Sequence, residues 1–346
     1  MASIYRGALI GCGFFARNHM ETWRREPRAE IVAVCDLDPA RARAMASGFG
    51  IDRVYTDAAD MLKSETLDFV DVATTAPSHR QLVCLALAHG IAAICQKPFA
   101  ETLDDAHAMV MAAQNAGRPL MVHENFRWQR PFRKLQQCIA EDGIGLPHFA
   151  HISFRHGYDN YRNQPYLAEI ERFSIMDVGL HLFDLARWLM GEVDSLHCRT
   201  QRYNPRVRGE DAFVASLRHQ GNGVSVLDCS FQTCFEPEPF PETVARIEGE
   251  RGTLELTRGY QLKLHRAGAV DSIDAAPPVP SWGEKPWHGI QDSVVAIQSH
   301  WIDVLDGKVE AQPSGKDNFE TLKLALAAYE SAATDTVIDL KRARAA

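Results

Sequence analysis

Gly7-Ala-Leu-Ile-Gly-Cys-Gly-Phe-Phe-Ala16, followed by Glu30-Ile-Val-Ala-Val-Cys-Asp36, decides the fold. The run 7–10 is short and apolar, as expected of a strand buried on both faces of a parallel sheet. The turn after it reads GxGxxA. Gly11 permits the tight turn, Gly13 lets the backbone approach a pyrophosphate, and Ala16 is small enough for close helix–strand packing. A helix over 17–25 then presents its first amides to phosphates, with Phe14 and Phe15 in the loop beside them. The second run ends in Asp36, an acid about 20 residues beyond the glycines, where a carboxylate holds ribose hydroxyls. Asp36 has a second available role, capping the helix that starts near Pro39, and the two roles are compatible. A carboxylate there repels a 2′-phosphate, and Leu37 rather than an arginine follows it. NAD is therefore expected over NADP.

Working outward, the first 125 residues alternate strand and helix with short loops. Strands are predicted at 54–55, 69–74, 91–95 and 120–123, and helices at 39–49, 57–63, 78–89 and 102–115. That rhythm predicts an α/β Rossmann domain, a doubly wound parallel sheet, with ligands beyond the carboxyl ends of its strands. Thr74, Thr75, Pro77, Ser78 and His79 occupy one such end, Gln96-Lys97-Pro98 the next, and Glu124-Asn125 the one after. Beyond about Trp128 the pattern changes. After a helix over 131–140, segments such as Phe149-Ala-His-Ile-Ser-Phe-Arg155 alternate apolar and polar residues, as in an open antiparallel sheet with one solvated face. A helix over 175–190 interrupts the strands, 271–287 reads as an extended loop, and the chain returns to helix near its end. Residues 1–126 are thus expected to bind NAD. Residues 127–346 are expected to form an α+β domain for substrate and self-association, with C-terminal helices available to pack back on the first domain.

Composition bounds the rest. The 346 residues suit two domains. A net charge of −8 with no long basic stretch argues against a nucleic-acid partner. No apolar run approaches the roughly 20 residues of a membrane span, so no membrane association is expected. The N-terminus resembles no signal peptide, which places the chain in the cytoplasm by expectation. The eight cysteines form no CxxC pair. Cys12, Cys35, Cys84 and Cys95 sit in or beside apolar runs, as buried free thiols do. The exposed face of an open antiparallel sheet is expected to pair with a copy of itself, as a dimer or tetramer.

Removing hydride from a carbinol carbon needs a base for the hydroxyl proton and a group that stabilises the developing alkoxide. Asp177 and His181, at i and i+4, share one face of the helix over 175–190. Histidine is the natural proton acceptor near neutrality. Asp177 can orient the imidazole or hold a substrate hydroxyl, and Asp184, one turn on, is assigned a structural contact. Lys97 lies where a nicotinamide ring would sit, and its ammonium can polarise the reacting oxygen. Asp177, His181 and Asp184 lack a further ligand set at diagnostic spacing, so no metal is expected.

With these residues the chain resembles the Gfo/Idh/MocA family of oxidoreductases. A GxGxxG/A turn, a strand-end Glu-Lys-Pro and a DxGxHxxD helix recur there across two domains. The resemblance implies that Lys97, Asp177 and His181 form the catalytic set and that Thr74, Thr75, Pro77 and His79 border the nicotinamide ribose. Gln96 departs from the usual glutamate, though an amide can still hydrogen-bond the cofactor. A narrower resemblance rests on residues 11–16, 94–100, 123–129, 164–169, 204–211 and 239–243. It is to a group that oxidises the anomeric carbon of a branched furanose to its lactone. Arg127, Arg155, His156, Tyr158, Asn160 and Gln164 would then offer polar contacts to a sugar, and Trp128 and Phe154 flat faces. Oxidation of another aldose or an inositol-type polyol uses the same residues. A dinucleotide-sensing regulator is the alternative of another class, and it would have no need of a base.

Overall fold

Apolar runs and helix caps alternate through the N-terminal half as the periodicity predicts. The computed structural model describes residues 4–341. The chain divides into two units, Met1–Glu124 with Val294–Leu322, and Asn125–Ser293 with Lys323–Ala346.

The first unit runs β1 (Tyr5–Ile10), α1 (Ala16–Trp23), β2 (Ala29–Cys35), α2 (Pro39–Phe49), β3 (Arg53–Tyr55), α3 (Ala58–Ser64), β4 (Phe69–Val72), α4 (His79–Ala88), β5 (Ala92–Gln96), α5 (Leu103–Ala116) and β6 (Leu120–His123). The strands form one parallel sheet in the order β3-β2-β1-β4-β5-β6. Strands β4, β5 and β6 are buried along their whole length, because helices cover both faces of such a sheet. Strand order reverses between β1 and β4, and the crevice beyond that point is where a doubly wound sheet binds its ligand. Local chemistry sets the helix ends. The Asp38 carboxylate accepts the amides of Ala40 and Arg41, with Pro39 at the first helical position of α2. Thr102 caps α5 through the Asp105 amide. The cap of α2 is therefore Asp38, not Asp36.

The second unit contains α6 (Arg130–Ala140), β7 (Pro147–Arg155), α7 (Leu180–Met190), β8 (Val193–Gln201), β9 (Ala212–His219), β10 (Val224–Ser230), β11 (Val244–Gly249), β12 (Gly252–Thr257), β13 (Gln261–Arg266), β14 (Ala269–Asp274) and β15 (Ile338–Asp339). Two further helices, α8 (His288–Leu305) and α9 (Gly315–Thr334), each contribute residues to both units. The sheet order is β14-β13-β12-β11-β7-β10-β9-β8-β15. Strands such as β9 alternate buried Phe213, Ala215 and Leu217 with exposed neighbours, and α7 packs across β7 and β10.

Three expectations are corrected here. The sheet is mixed, since β7 and β10 pair in parallel while the other neighbours are antiparallel; alternation does not reveal strand direction. Residues 271–274 are not loop but part of β14, which pairs with β13 through a two-residue turn whose Gly268 has φ +76°. This edge strand is almost wholly exposed and so lacks the apolar rhythm that would mark it. The helix expected from 175 opens with a π-helical stretch, Ile175–Gly179, before α7; such wide turns are frequent at functional sites.

Candidate active site

In the first unit the glycine turn is built by close contact. Gly11 has φ +98°, and a Cβ there would stand 2.8 Å from the Ala73 and Thr74 backbone. Gly13 differs: its Cβ would meet no protein atom within 4 Å. Space is therefore kept open beside this backbone, as a pyrophosphate requires. Among the described residues the first turn of α1 has no side-chain cap, and the Asn18 amide donates to the Phe15 carbonyl at 3.0 Å. Asp36 is tied to the turn: Oδ2 accepts the Cys12 amide at 2.7 Å and Oδ1 the Asp38 amide at 2.8 Å. Each carboxylate oxygen keeps a lone pair for a ribose hydroxyl. Leu37 is 90% exposed and Phe14 47% exposed, while Phe15 is half-buried and Ala16 buried under the helix. These residues fit a dinucleotide. Burial, aided by the Asp36 charge, pushes the Cys12 thiol up to about 12, so it stays protonated.

At the end of β4, Ser78 Oγ lies 2.7 Å from Thr74 Oγ1 and donates to the Thr75 carbonyl at 2.9 Å, while Thr75 and Pro77 are exposed. His79 has no exposed surface. Its Nε2 and Nδ1 stand 3.1 and 3.2 Å from the Thr74 and Phe99 carbonyls, and burial holds its pKa below the usual histidine value. It braces the Thr74 loop from behind. At the end of β5, Gln96 is buried, its Oε1 accepts the Lys97 amide at 2.7 Å, and Lys97 is half-buried. His19 and Asp71, which sequence reasoning passed over, lie under this turn. His19 Nδ1 is 2.8 Å from Asp71 Oδ2, and His19 Nε2 is 3.0 Å from Gln96 Nε2. A carboxylate inside the apolar run 69–72 was the available signal.

In the second unit the π-helical stretch is anchored at its start. The buried Glu210 carboxylate accepts the Phe173 and Ile175 amides and the Ser174 and Tyr329 hydroxyls. An anion at this end also complements the helix dipole. Asp177 is half-buried; His181, one turn on, is 3% exposed and lies flat on Phe126, with centroids 3.7 Å apart and planes at 3°. Asp184 grips Arg127 through Nε at 2.6 Å and Nη2 at 2.5 Å, both side chains buried. Removing one partner of such a pair costs roughly 3–5 kcal/mol. Arg127, expected to face a sugar, thus commits two donors to the scaffold. Asn125 donates to Ser293 at 2.7 Å, and the Arg133 guanidinium covers the buried Trp128 ring at 4.6 Å.

A chain of rings continues from Phe126 to Phe154 and on to His156 and Phe240. Tyr158 stacks on Phe240 at 4.4 Å, with Trp287 edge-on to both. His156 is 1% exposed. Its Nδ1 accepts the Tyr158 amide, and among the described residues its Nε2 has no hydrogen-bond partner. Burial pushes its pKa down to about 4, with the Asp177 charge partly opposing. Gln164 Oε1 accepts the Tyr166 hydroxyl, and Asn160 is buried. Arg155 follows Phe154 in β7 and so points to the opposite face of the sheet, where it joins His151 and Ser153 around Asp228. Phe240 and Trp287 were missed because they lie in Pro-rich segments without periodicity. Among the described residues no group of three or more His, Cys, Asp or Glu could hold a metal, and no helix is long and apolar enough to cross a membrane.

Comparison with known proteins agrees with this geometry. Residues 5–124 match the oxidoreductase family with an NAD-binding Rossmann fold, and residues 132–255 match the GFO/IDH/MocA C-terminal domain. The chain belongs to the Gfo/Idh/MocA family of oxidoreductases, and its cofactor is NAD. It is similar to the D-apiose dehydrogenase of Rhizobium rhizogenes, 48% identical over 335 residues covering 97% of both chains. It is also similar to the D-apiose dehydrogenase of Paraburkholderia graminis, 50% identical over 337 residues, covering 97% of this chain and 90% of that one. Among solved structures, an oxidoreductase from Agrobacterium radiobacter in complex with NAD+, L-tartaric acid and magnesium superposes with a TM-score of 0.97. Their identity is 48%, covering 98% of this chain and 99% of that one.

Proposed function

We propose that this NAD-dependent sugar dehydrogenase oxidises the anomeric carbon of D-apiose to the corresponding lactone. Residues 1–126 hold the cofactor and 127–346 the sugar. The similarity to two D-apiose dehydrogenases over nearly the whole chain carries the substrate assignment. Bound NAD+ supplies the hydride acceptor for the C1–H bond. His181 takes the proton of the C1 hydroxyl. The stacking on Phe126 supports that role, since a base with a fixed ring plane can be aimed at one hydroxyl. The Lys97 ammonium stabilises the oxygen as it loses its proton. Asp177 orients the sugar or the imidazole, and Tyr158, Phe154 and Trp128 shape the sugar pocket. The enzyme works in the cytoplasm, with copies of the chain joined through the outer face of the nine-stranded sheet.

NADH formation across a panel of aldoses and inositols tests the substrate. Preference for D-apiose is expected, and preference for another sugar would discard it while leaving the chemistry in place. For the base, His181→Ala should retain NAD binding and lower kcat by about 10²–10⁴-fold. Undiminished turnover would remove His181 from the reaction.

A further inference from the structure

We propose that His19 and Asp71 are positioning residues: with Gln96 they form a one-directional hydrogen-bond relay that seats the peptide of Lys97. The kinetic part of this inference rests on the role given to Lys97 above; the proton assignment does not.

Two groups that can only donate fix the direction. The Lys97 amide donates to Gln96 Oε1 at 2.7 Å, so the Gln96 amide nitrogen must face His19. That nitrogen is also a pure donor, so His19 Nε2, 3.0 Å away, accepts. A histidine that accepts at Nε2 is neutral and carries its proton on Nδ1. This proton points at Asp71 Oδ2, 2.8 Å away, which also takes the Trp23 indole N–H at 2.7 Å. His19, Asp71 and Gln96 are all buried, so no water competes for these bonds.

The arrangement depends on an amide at position 96. A carboxylate could still accept the Lys97 amide, but its second oxygen would face the lone pair of His19 Nε2. A proton would have to enter between them, held by the carboxyl or by the imidazole. The other titratable groups around this site are His123, whose ring stacks on His19 at 4.1 Å, and the buried Cys95 thiol beside Asp71. Phe15 closes the site edge-on at 5.5 Å. Burial raises the thiol well above its usual range, so Cys95 supplies no charge.

Nitrogen-15 NMR of histidine-labelled full-length protein reads the tautomer directly, with the His19 signals assigned by their loss in His19→Gln. The relay requires the neutral Nδ1–H form. An Nε2–H tautomer or an imidazolium in the wild type would overturn it. Kinetics separate positioning from simple support. Glutamine at 19 can donate to Asp71 and accept from Gln96, whereas leucine can do neither. His19→Gln should therefore keep kcat within about fivefold and His19→Leu lose roughly 100-fold, with KM for NAD moving less than about threefold in both, as for a displaced reacting group. Equal losses that follow melting temperature would reduce His19 to a packing residue. Should the variants not fold, the wild-type tautomer decides; inactivity on every sugar would refute the substrate reading and leave that measurement standing.

Discussion

Lowering the pH from 7 to 5 should destabilise this protein by about 2 kcal/mol through His156 alone, and His156→Asn should remove that loss. His156 sits among Phe154, Phe231 and Phe240 at centroid distances of 5.2, 4.7 and 5.0 Å. Burial there holds its pKa near 4, against an ordinary value of 6.5. Because the folded-state value is depressed, the unfolded chain binds the proton first as pH falls. Stability is then fully present above about pH 6.5, declines below it, and levels off below about pH 4. With 1.36 kcal/mol for each pKa unit, the loss is about 2 kcal/mol at pH 5 and about 3 kcal/mol once the ring is protonated in both states. Asparagine places an amide oxygen near the position of Nδ1, so it can still accept the Tyr158 amide, but it does not titrate. His79, His219 and His288, also held low by burial, are common to both proteins and cancel in the difference. Urea unfolding of the two proteins at pH 5, 6, 7 and 8 gives the comparison. The wild type should lose about 2 kcal/mol more than the variant between pH 7 and 5, and parallel curves would refute the burial argument.

The glycines of the turn should fail in different ways. Gly13→Ala should leave melting unchanged and raise KM for NAD at least about tenfold, because its Cβ occupies space that the protein leaves open. Gly11→Ala should lower stability by more than about 1 kcal/mol even without cofactor, since its φ of +98° and its 2.8 Å approach to the Ala73–Thr74 backbone both exclude a side chain. Differential scanning fluorimetry and NAD titration distinguish the two. Asp36→Ala should shift the ratio of kcat/KM for NAD over NADP toward NADP by about 10- to 100-fold, the scale of one removed like-charge contact. An unchanged ratio would place discrimination elsewhere.

The N-terminal half was legible because its determinants are local. A strand buried on both faces shows itself as an apolar run such as Phe69–Val72, Thr102 marks a helix start, and Gly11 marks a turn that only glycine can make. Asp36, Lys97 and His181 could be nominated as candidates for the same reason: each stands at a fixed offset from a strand end or within a helix. Strand parity puts Phe154 and Arg155 on opposite faces: Phe154 joins the chain of rings and Arg155 the Asp228 cluster.

Tertiary structure decided what depends on groups distant in the chain. Whether β7 and β10 run parallel follows from the path of the chain between them, and β14 exists because β13 offers it an edge. The structural fate of Arg127 was settled by Asp184, 57 residues away. The partners of His19 lie 52 and 77 residues off, at Asp71 and Gln96. A hydrogen bond between such residues leaves no periodic trace in the sequence, since its geometry exists only after separate strands and a helix have packed. Composition and periodicity are properties of neighbours; the proton on a buried histidine is a property of the assembled core.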